Sequence, residues 1–288
     1  MSKAAVRAIR FFEAVSGTGI RGKFTAKFFS GLLKLIRPRA KVMNSNMLIA
    51  YPDSSEQWRK ETIRKCYEHL GWTIAEILAL QRDPAQVFDW VKVFHNDGLM
   101  KELLAQKKGV LFLSGHIGNW EILSSWYAQY AKQHGHELHI VYQEFHDMDV
   151  WGYVREIRER SGQMLLPKKM SVQKYAHMLK GGMHLALLDD ISGMPKMKVP
   201  FMGHQATNMP GPAVMALLSG VPVIPVCSYR IAPFQHEVFF LDPVKIPGKE
   251  ENHEDRVRLT VQAFNEALET LIRKRPEQWF WLHRRWRP

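Results

Sequence analysis

The chain has 288 residues with 40 lysines and arginines against 28 acids, a formal charge of +12, so an anionic partner is expected: lipid headgroups, nucleic acid, or an acidic protein or substrate. A composition 46% hydrophobic and 24% charged can bury a sizeable core and excludes wholesale disorder. Two distant cysteines, Cys66 and Cys227, and thirteen histidines without H-E-x-x-H or finger spacing leave no expected disulfide framework, metal site or structural zinc.

Residues 1–41 differ from the rest. Ten basic residues stand there against one acid, Glu13, interleaved with Phe11, Phe12, Phe24, Phe28, Phe29, Leu32, Leu33, Leu35 and Ile36. Two short helices, broken near Gly17–Gly22 and stopped by Pro38, would each carry an apolar and a basic face. That composition suits a helix lying among the headgroups of an anionic bilayer, or a basic helix packed on the domain by its apolar side. No run of eighteen apolar residues and no signal-peptide pattern occurs, so the expected location is cytoplasmic, held against a membrane without crossing it. A division into 1–41 and one domain over 42–288 is expected.

From Ser54 to Gln81 the apolar spacing is helical, with Ser54 or Ser55 as cap and Asp83-Pro84 as stop. The pattern then changes. GVLFLS (109–114) reads as a buried strand, 120–130 as a helix, 138–142 as a strand and 150–160 as a helix. Further strands are read at 185–188 and 223–227, with helices at 212–218 and 258–274. Strands alternating with helices imply an α/β fold: a mostly parallel sheet flanked by helices, with a basic helical extension at the N-terminus.

The most informative stretch is GVLFLSGHIGNWEIL (109–123). A strand delivers His116 to a glycine-flanked turn, and a helix follows at once. Glu121 lies five residues on, which is not a facing offset within one helix. From the turn, however, its carboxylate can fold back onto the imidazole, fix the tautomer and leave the other ring nitrogen to take a proton from a hydroxyl. No serine or cysteine close by is a convincing nucleophile, so direct attack by a substrate hydroxyl is the simpler scheme. Gly115 and Gly118 would let substrate approach the backbone.

GHIGNWE resembles the H-x4-D/E signature of the lysophospholipid acyltransferase superfamily, and more narrowly the bacterial late acyltransferases of lipid A biosynthesis. Other segments carry the resemblance in family order: REIRERSG with Arg158 and Gly162, LALLDD (185–190), VPFMG (199–203), Ala206-Thr207 with Gly211–Ala213, PVIPVCSYR ending at Arg230, and RPEQWFWLHRRW (275–286). The resemblance implies transfer of a fatty acyl group from an acyl carrier protein thioester to a hydroxyl of a lipid A precursor on the cytoplasmic face of the inner membrane. It implies His116 as base with Glu121 as partner, and Asn119, Arg158, Asp190, Thr207, Gly211 and Arg230 as substrate-binding or site-holding residues. An arginine in such a site suits a phosphorylated glycolipid, because its planar fork binds phosphate bidentately. Three departures leave acceptor and acyl length open: a basic amphipathic stretch where members often carry an N-terminal transmembrane helix, LLDD where Leu-Leu-Ala-Asp-Gln is commoner, and Met-Gly-His at 202–204 in place of Phe-Phe-Gly.

The C-terminal segment adds Arg273, Lys274, Arg275, Arg284, Arg285 and Arg287, with Trp279, Trp281 and Trp286 among them. Such a mixture suits a membrane interface, single-stranded nucleic acid, an acidic carrier protein, or tryptophans in the core beneath solvated arginines. Acyl or aminoacyl transfer to another glycolipid is an alternative function. A non-catalytic basic protein binding membrane or nucleic acid is another, although it has no need of His116 and Glu121 in a glycine turn. No RNA-recognition signature, P-loop or G-x-G-x-x-G is present, so neither a nucleic-acid partner nor a cofactor is expected. A hydrocarbon groove is expected near His116, with Trp120, Ile122, Trp126, Phe201 and Met202 as candidate walls.

Overall fold

A computed structural model describes residues 2–142, 148–191, 197–248 and 252–286. The chain begins with helices α1 (Ser2–Val15), α2 (Gly19–Ile36), α3 (Ala40–Ala50) and α4 (Glu56–Arg82). Ser55 caps α4 by accepting from the Trp58 amide, and Asp83 then caps the short turn that begins at Pro84, as the sequence predicts. There follow α5 (Val87–Trp90), β1 (Val91–His95), α6 (Asp97–Ala105), β2 (Val110–Ser114), α7 (Trp120–Gln133), β3 (Leu138–Tyr142), α8 (Met148–Arg160), β4 (Met164–Pro167), α9 (Val172–Lys180) and β5 (His184–Leu188). The chain closes with β6 (Met197–Phe201), β7 (His204–Asn208), α10 (Gly211–Ser219), β8 (Val223–Ala232), β9 (Gln235–Phe240) and α11 (His253–Lys274).

Seven strands form one sheet in the order β1-β9-β8-β2-β5-β3-β4, parallel except where β9 turns back on β8. β6 and β7 form a separate antiparallel hairpin. The sheet is buried on both faces, so its central strands are continuous apolar runs whose alternate residues serve opposite cores. Leu111 and Leu113 of β2, Leu185 of β5 and Cys227 and Tyr229 of β8 join a core with α3, α9, α10 and α11. Val110 and Phe112, with Ile224 and Val226, join a second core with α5, α6 and α7.

The N-terminal helices are both docked and exposed. Gly22, Thr25, Ala26 and Ser30 of α2 are buried; Ser30 Oγ donates to the Glu68 carbonyl of α4, and Lys34 pairs with Glu68 at 2.5 Å. The opposite face carries Ile20, Phe24, Phe28, Leu32 and Leu35 outward, with Ile20 87% and Leu35 81% exposed. An apolar stripe of that size is unusual on a protein surface. Among the described residues no helix is long and apolar enough to cross a membrane.

Candidate active site

Ligands of open α/β sheets sit beyond the carboxyl ends of the strands, and the expected catalytic turn lies there. β2 and β5 are parallel, with Ser114 opposite Leu188. Two residues further along each strand stand His116 and Asp190, and this register brings them together. Asp190 Oδ1 lies 2.8 Å from His116 Nδ1, and Asp190 Oδ2 accepts from the His116 amide at 2.8 Å. Oδ2 also accepts from Trp279 Nε1 at 2.8 Å, and the Asp190 carbonyl is 3.0 Å from His283 Nε2. Asp190 is fully buried and the His116 side chain 19% exposed. No described residue bonds to His116 Nε2.

Burial alone would raise the Asp190 pKa, but the His116 charge and the donors around it hold it well below the ordinary value. Burial likewise opposes the His116 imidazolium; the Asp190 carboxylate outweighs this and raises His116 above its usual value. Asp189, also buried, is pushed up to about 7 by desolvation and its charged neighbour. Burial and partners thus push the two adjacent carboxyls in opposite directions.

Glu121 does not fold back onto the imidazole as its spacing suggested. It sits in the first turn of α7, and Arg158 of α8 engages both its oxygens, Nη2 to Oε1 at 2.6 Å and Nε to Oε2 at 3.4 Å. Glu121 and Arg158 both line a cavity between α7 and the sheet. Trp120, Leu123, Tyr127, Leu138, Ile140 and Phe240 are among its walls, and its cavity volume is about 50 Å³, within about 540 Å³ of non-atom space that includes open solvent. The walls are almost wholly apolar. Trp120 joins the cavity to the histidine, its ring packing edge-on against His116 at 4.9 Å between centroids.

Of the expected groove walls, only Trp120 lines this cavity. Ile122 and Trp126 are core residues on α7, while Phe201 and Met202 belong to the β6–β7 hairpin in the core across the sheet. Leucines of β3 and β5 and the ring of Tyr127 take their place, because β3, β5 and α7 flank the space directly. At the inner wall Tyr127 Oη is 2.7 Å from His184 Nδ1. His184, lowered to about 4 by burial, donates through Nε2 to the Lys108 carbonyl, so Nδ1 accepts from the tyrosine.

Two other expected binding residues are structural. Arg230 is buried and its five donors are used: Nε and Nη2 on Glu76 at 2.7 Å each, Nη2 on Thr73, and Nη1 on both Nδ1 and the carbonyl of His69. A guanidinium has five N–H groups, so none remains for a phosphate. Asn119 is fully buried; its Oδ1 caps α7 and its Nδ2 donates to Glu76. Since Arg230 can only donate, His69 Nδ1 accepts and Nε2 carries the proton, donating to the Gly118 carbonyl at 3.0 Å. The network therefore pegs the His116 turn from behind. Gly118 has φ +61°, and a Cβ there would lie 1.6 Å from the Ser228 carbonyl oxygen. Its glycine serves backbone packing rather than substrate approach, and Gly115 likewise faces the Asp190 carboxyl.

Thr207 lies in β7, where its carbonyl accepts from the buried Arg285 at 2.7 Å, and Gly211 opens α10. Neither has a contact to His116. Sequence reasoning missed Glu76 and His69, which sit on the buried face of α4, and the positioning part of Trp279. Trp279 and Trp281 are core residues, as the plainest of the expected readings has them, but Arg285, which that reading puts on a solvated face, is buried too. The segment containing them closes the site: Gly118 donates to the Gln278 carbonyl and Phe280 to that of His116. Arg287 lies outside the described residues.

A histidine–aspartate pair at the carboxyl edge of a parallel sheet, with Trp120 packed between it and an apolar cavity, is an arrangement suited to an enzyme. The model of the bacterial lipid A biosynthesis acyltransferase family matches residues 16–288, and the chain belongs to that family; it is an acyltransferase. It is similar to the lipid A biosynthesis lauroyltransferase of Escherichia coli strain K12, 24% identical over 265 residues that cover 88% of this chain and 81% of that protein.

Proposed function

We propose that the enzyme moves a fatty acyl group from an acyl carrier protein thioester to a hydroxyl of a lipid A precursor, at the cytoplasmic face of the inner membrane, with His116 as general base. The observation that carries this reading is the apolar cavity lined by Trp120, Glu121 and Arg158, with the Trp120 ring packed on the His116 imidazole. An acyl chain in the cavity has its carbonyl beside these residues. The acceptor O–H gives its proton to His116 Nε2 as its oxygen bonds to the thioester carbonyl carbon. The carbon–sulfur bond then breaks, and the departing sulfur takes the proton from the imidazolium, leaving an ester, a free thiol and neutral histidine.

Arg158, only 17% exposed, is the cation in the cavity lining, and it suits a developing oxyanion or a lipid phosphate. Residues 1–41 form the membrane-associating part, with the apolar stripe of α2 seated at the lipid surface and its lysines and arginines among anionic headgroups. The net charge of +12 favours encounter with an acidic carrier protein.

The test offers purified protein a series of carrier-protein and coenzyme A thioesters, lauroyl included, with a tetraacyl lipid A precursor, and reads the lipids by mass spectrometry. An added acyl mass from wild type, absent with His116→Ala, is expected. No acylated product from folded wild type with any donor would refute the reading.

A further inference from the structure

We infer that Asp190, rather than Glu121, is the positioning carboxylate of the catalytic histidine, and that Glu121 is committed to Arg158 in the cavity lining. The inference rests on His116 being the base, and it reassigns the group that sets its tautomer.

Three observations support it. The β2–β5 register puts Asp190 opposite His116, and both carboxylate oxygens are used on the histidine residue, one at the ring and one at the amide. The carboxylate is also anchored from behind, Trp279 Nε1 on Oδ2 and His283 on its carbonyl, so it cannot swing away without disturbing the closing segment. Finally, Glu121 has its two oxygens on the guanidinium of Arg158, a bidentate pair with little reason to release one for the imidazole. An ionised Asp190 accepts from Nδ1–H, which leaves Nε2 as the ring nitrogen without a proton. That tautomer is the one a general base needs.

The geometry makes the consequence of Asp190→Asn specific. Oδ2 receives two N–H donors, from the His116 amide and from Trp279, so the asparagine oxygen must occupy that position. Its NH2 then faces Nδ1, which is forced to accept, and the imidazole proton moves to Nε2. The base is lost although the shape of the site is kept. Loss of such a carboxylate with shape retained costs roughly 10⁴-fold in turnover in other His–Asp pairs, with KM little changed.

The experiment is nitrogen NMR of histidine-labelled protein without substrate, the His116 signal being assigned by its absence in His116→Ala, together with kcat and KM. Wild type and Glu121→Gln should both show the Nδ1–H tautomer, and Asp190→Asn the Nε2–H tautomer with a much lower kcat. Retention of Nδ1–H in Asp190→Asn, or its loss in Glu121→Gln, would overturn the inference. If Asp190→Asn does not fold, the Glu121→Gln spectrum alone decides. Because tautomers are read without substrate, failure of this pairing is distinguishable from failure of wild type to transfer acyl groups.

Discussion

Glu76→Gln is an isosteric change that removes one charge from the network behind the His116 turn. In wild type Glu76 is fully buried, taking Arg230 through both oxygens at 2.7 Å and Asn119 at 2.9 Å, with His236 Nε2 3.1 Å away. Both oxygens face donors, so a glutamine must turn its NH2 toward a donor and leave the Arg230 charge unpaired in the interior. Breaking one partner of a buried pair typically costs about 3–5 kcal/mol. Set against a typical total stability of about 5–15 kcal/mol, this is a large share. Urea unfolding followed by tryptophan fluorescence should show the loss, while Lys60→Ala, which breaks an exposed pair with Glu56, should leave the midpoint unmoved. A Glu76→Gln loss under about 1 kcal/mol would refute the idea that this network holds the turn.

Glu76 and Asp190 are both depressed in the folded state, so their stabilisation is present above the ordinary carboxylate range and is lost as pH falls below it. Urea midpoints should therefore drop between about pH 5 and pH 2, less steeply in Glu76→Gln. His116 is raised above 6.5, and the base must be neutral to act. The acidic limb of kcat/KM should accordingly have its midpoint above that value, as a pH–rate profile would reveal. His116→Ala should lower turnover by at least about 10²- to 10⁴-fold, and its circular dichroism melt should fall below that of wild type because the buried Asp190 loses its ring partner. Ala186→Phe, on the cavity wall, should shift preference to shorter donors. At about 0.8 kcal/mol per methylene denied burial, competition between thioesters should show roughly a fourfold penalty per carbon excluded. Phe24→Asp, at a residue 73% exposed, should weaken sedimentation with anionic vesicles without changing the melting temperature.

The layered α/β architecture was legible because a sheet buried on both faces leaves continuous apolar runs, as in GVLFLS, and because Ser55 and Asp83 mark the ends of α4 with local chemistry. The short edge strands β1 and β4 carry no such run, and α3 is too short to reveal its period. The β6–β7 hairpin turns at Met202-Gly203, both at positive φ; a methionine there hides the two-residue turn that Asn-Gly would have announced. His116 was legible as a candidate base because its turn is contiguous in sequence. Its carboxylate was not, since Asp190 reaches it through strand pairing across 74 residues, whereas Glu121 is near in sequence and held by another helix. Arg230 looked like a phosphate ligand because nothing local discloses Glu76 and His69 on α4.

The account depends on the acyl chain occupying the space between α7 and the sheet with its carbonyl beside His116. A carrier-protein thioester bearing a photoreactive diazirine near the end of its acyl chain tests this directly, with the labelled residues mapped by peptide mass spectrometry. Labelling at Tyr127, Leu138, Ile140 or Phe240, abolished by excess unlabelled thioester, is the predicted result. Displaceable labelling on the hairpin side instead, at Phe201 or Met202, would contradict it.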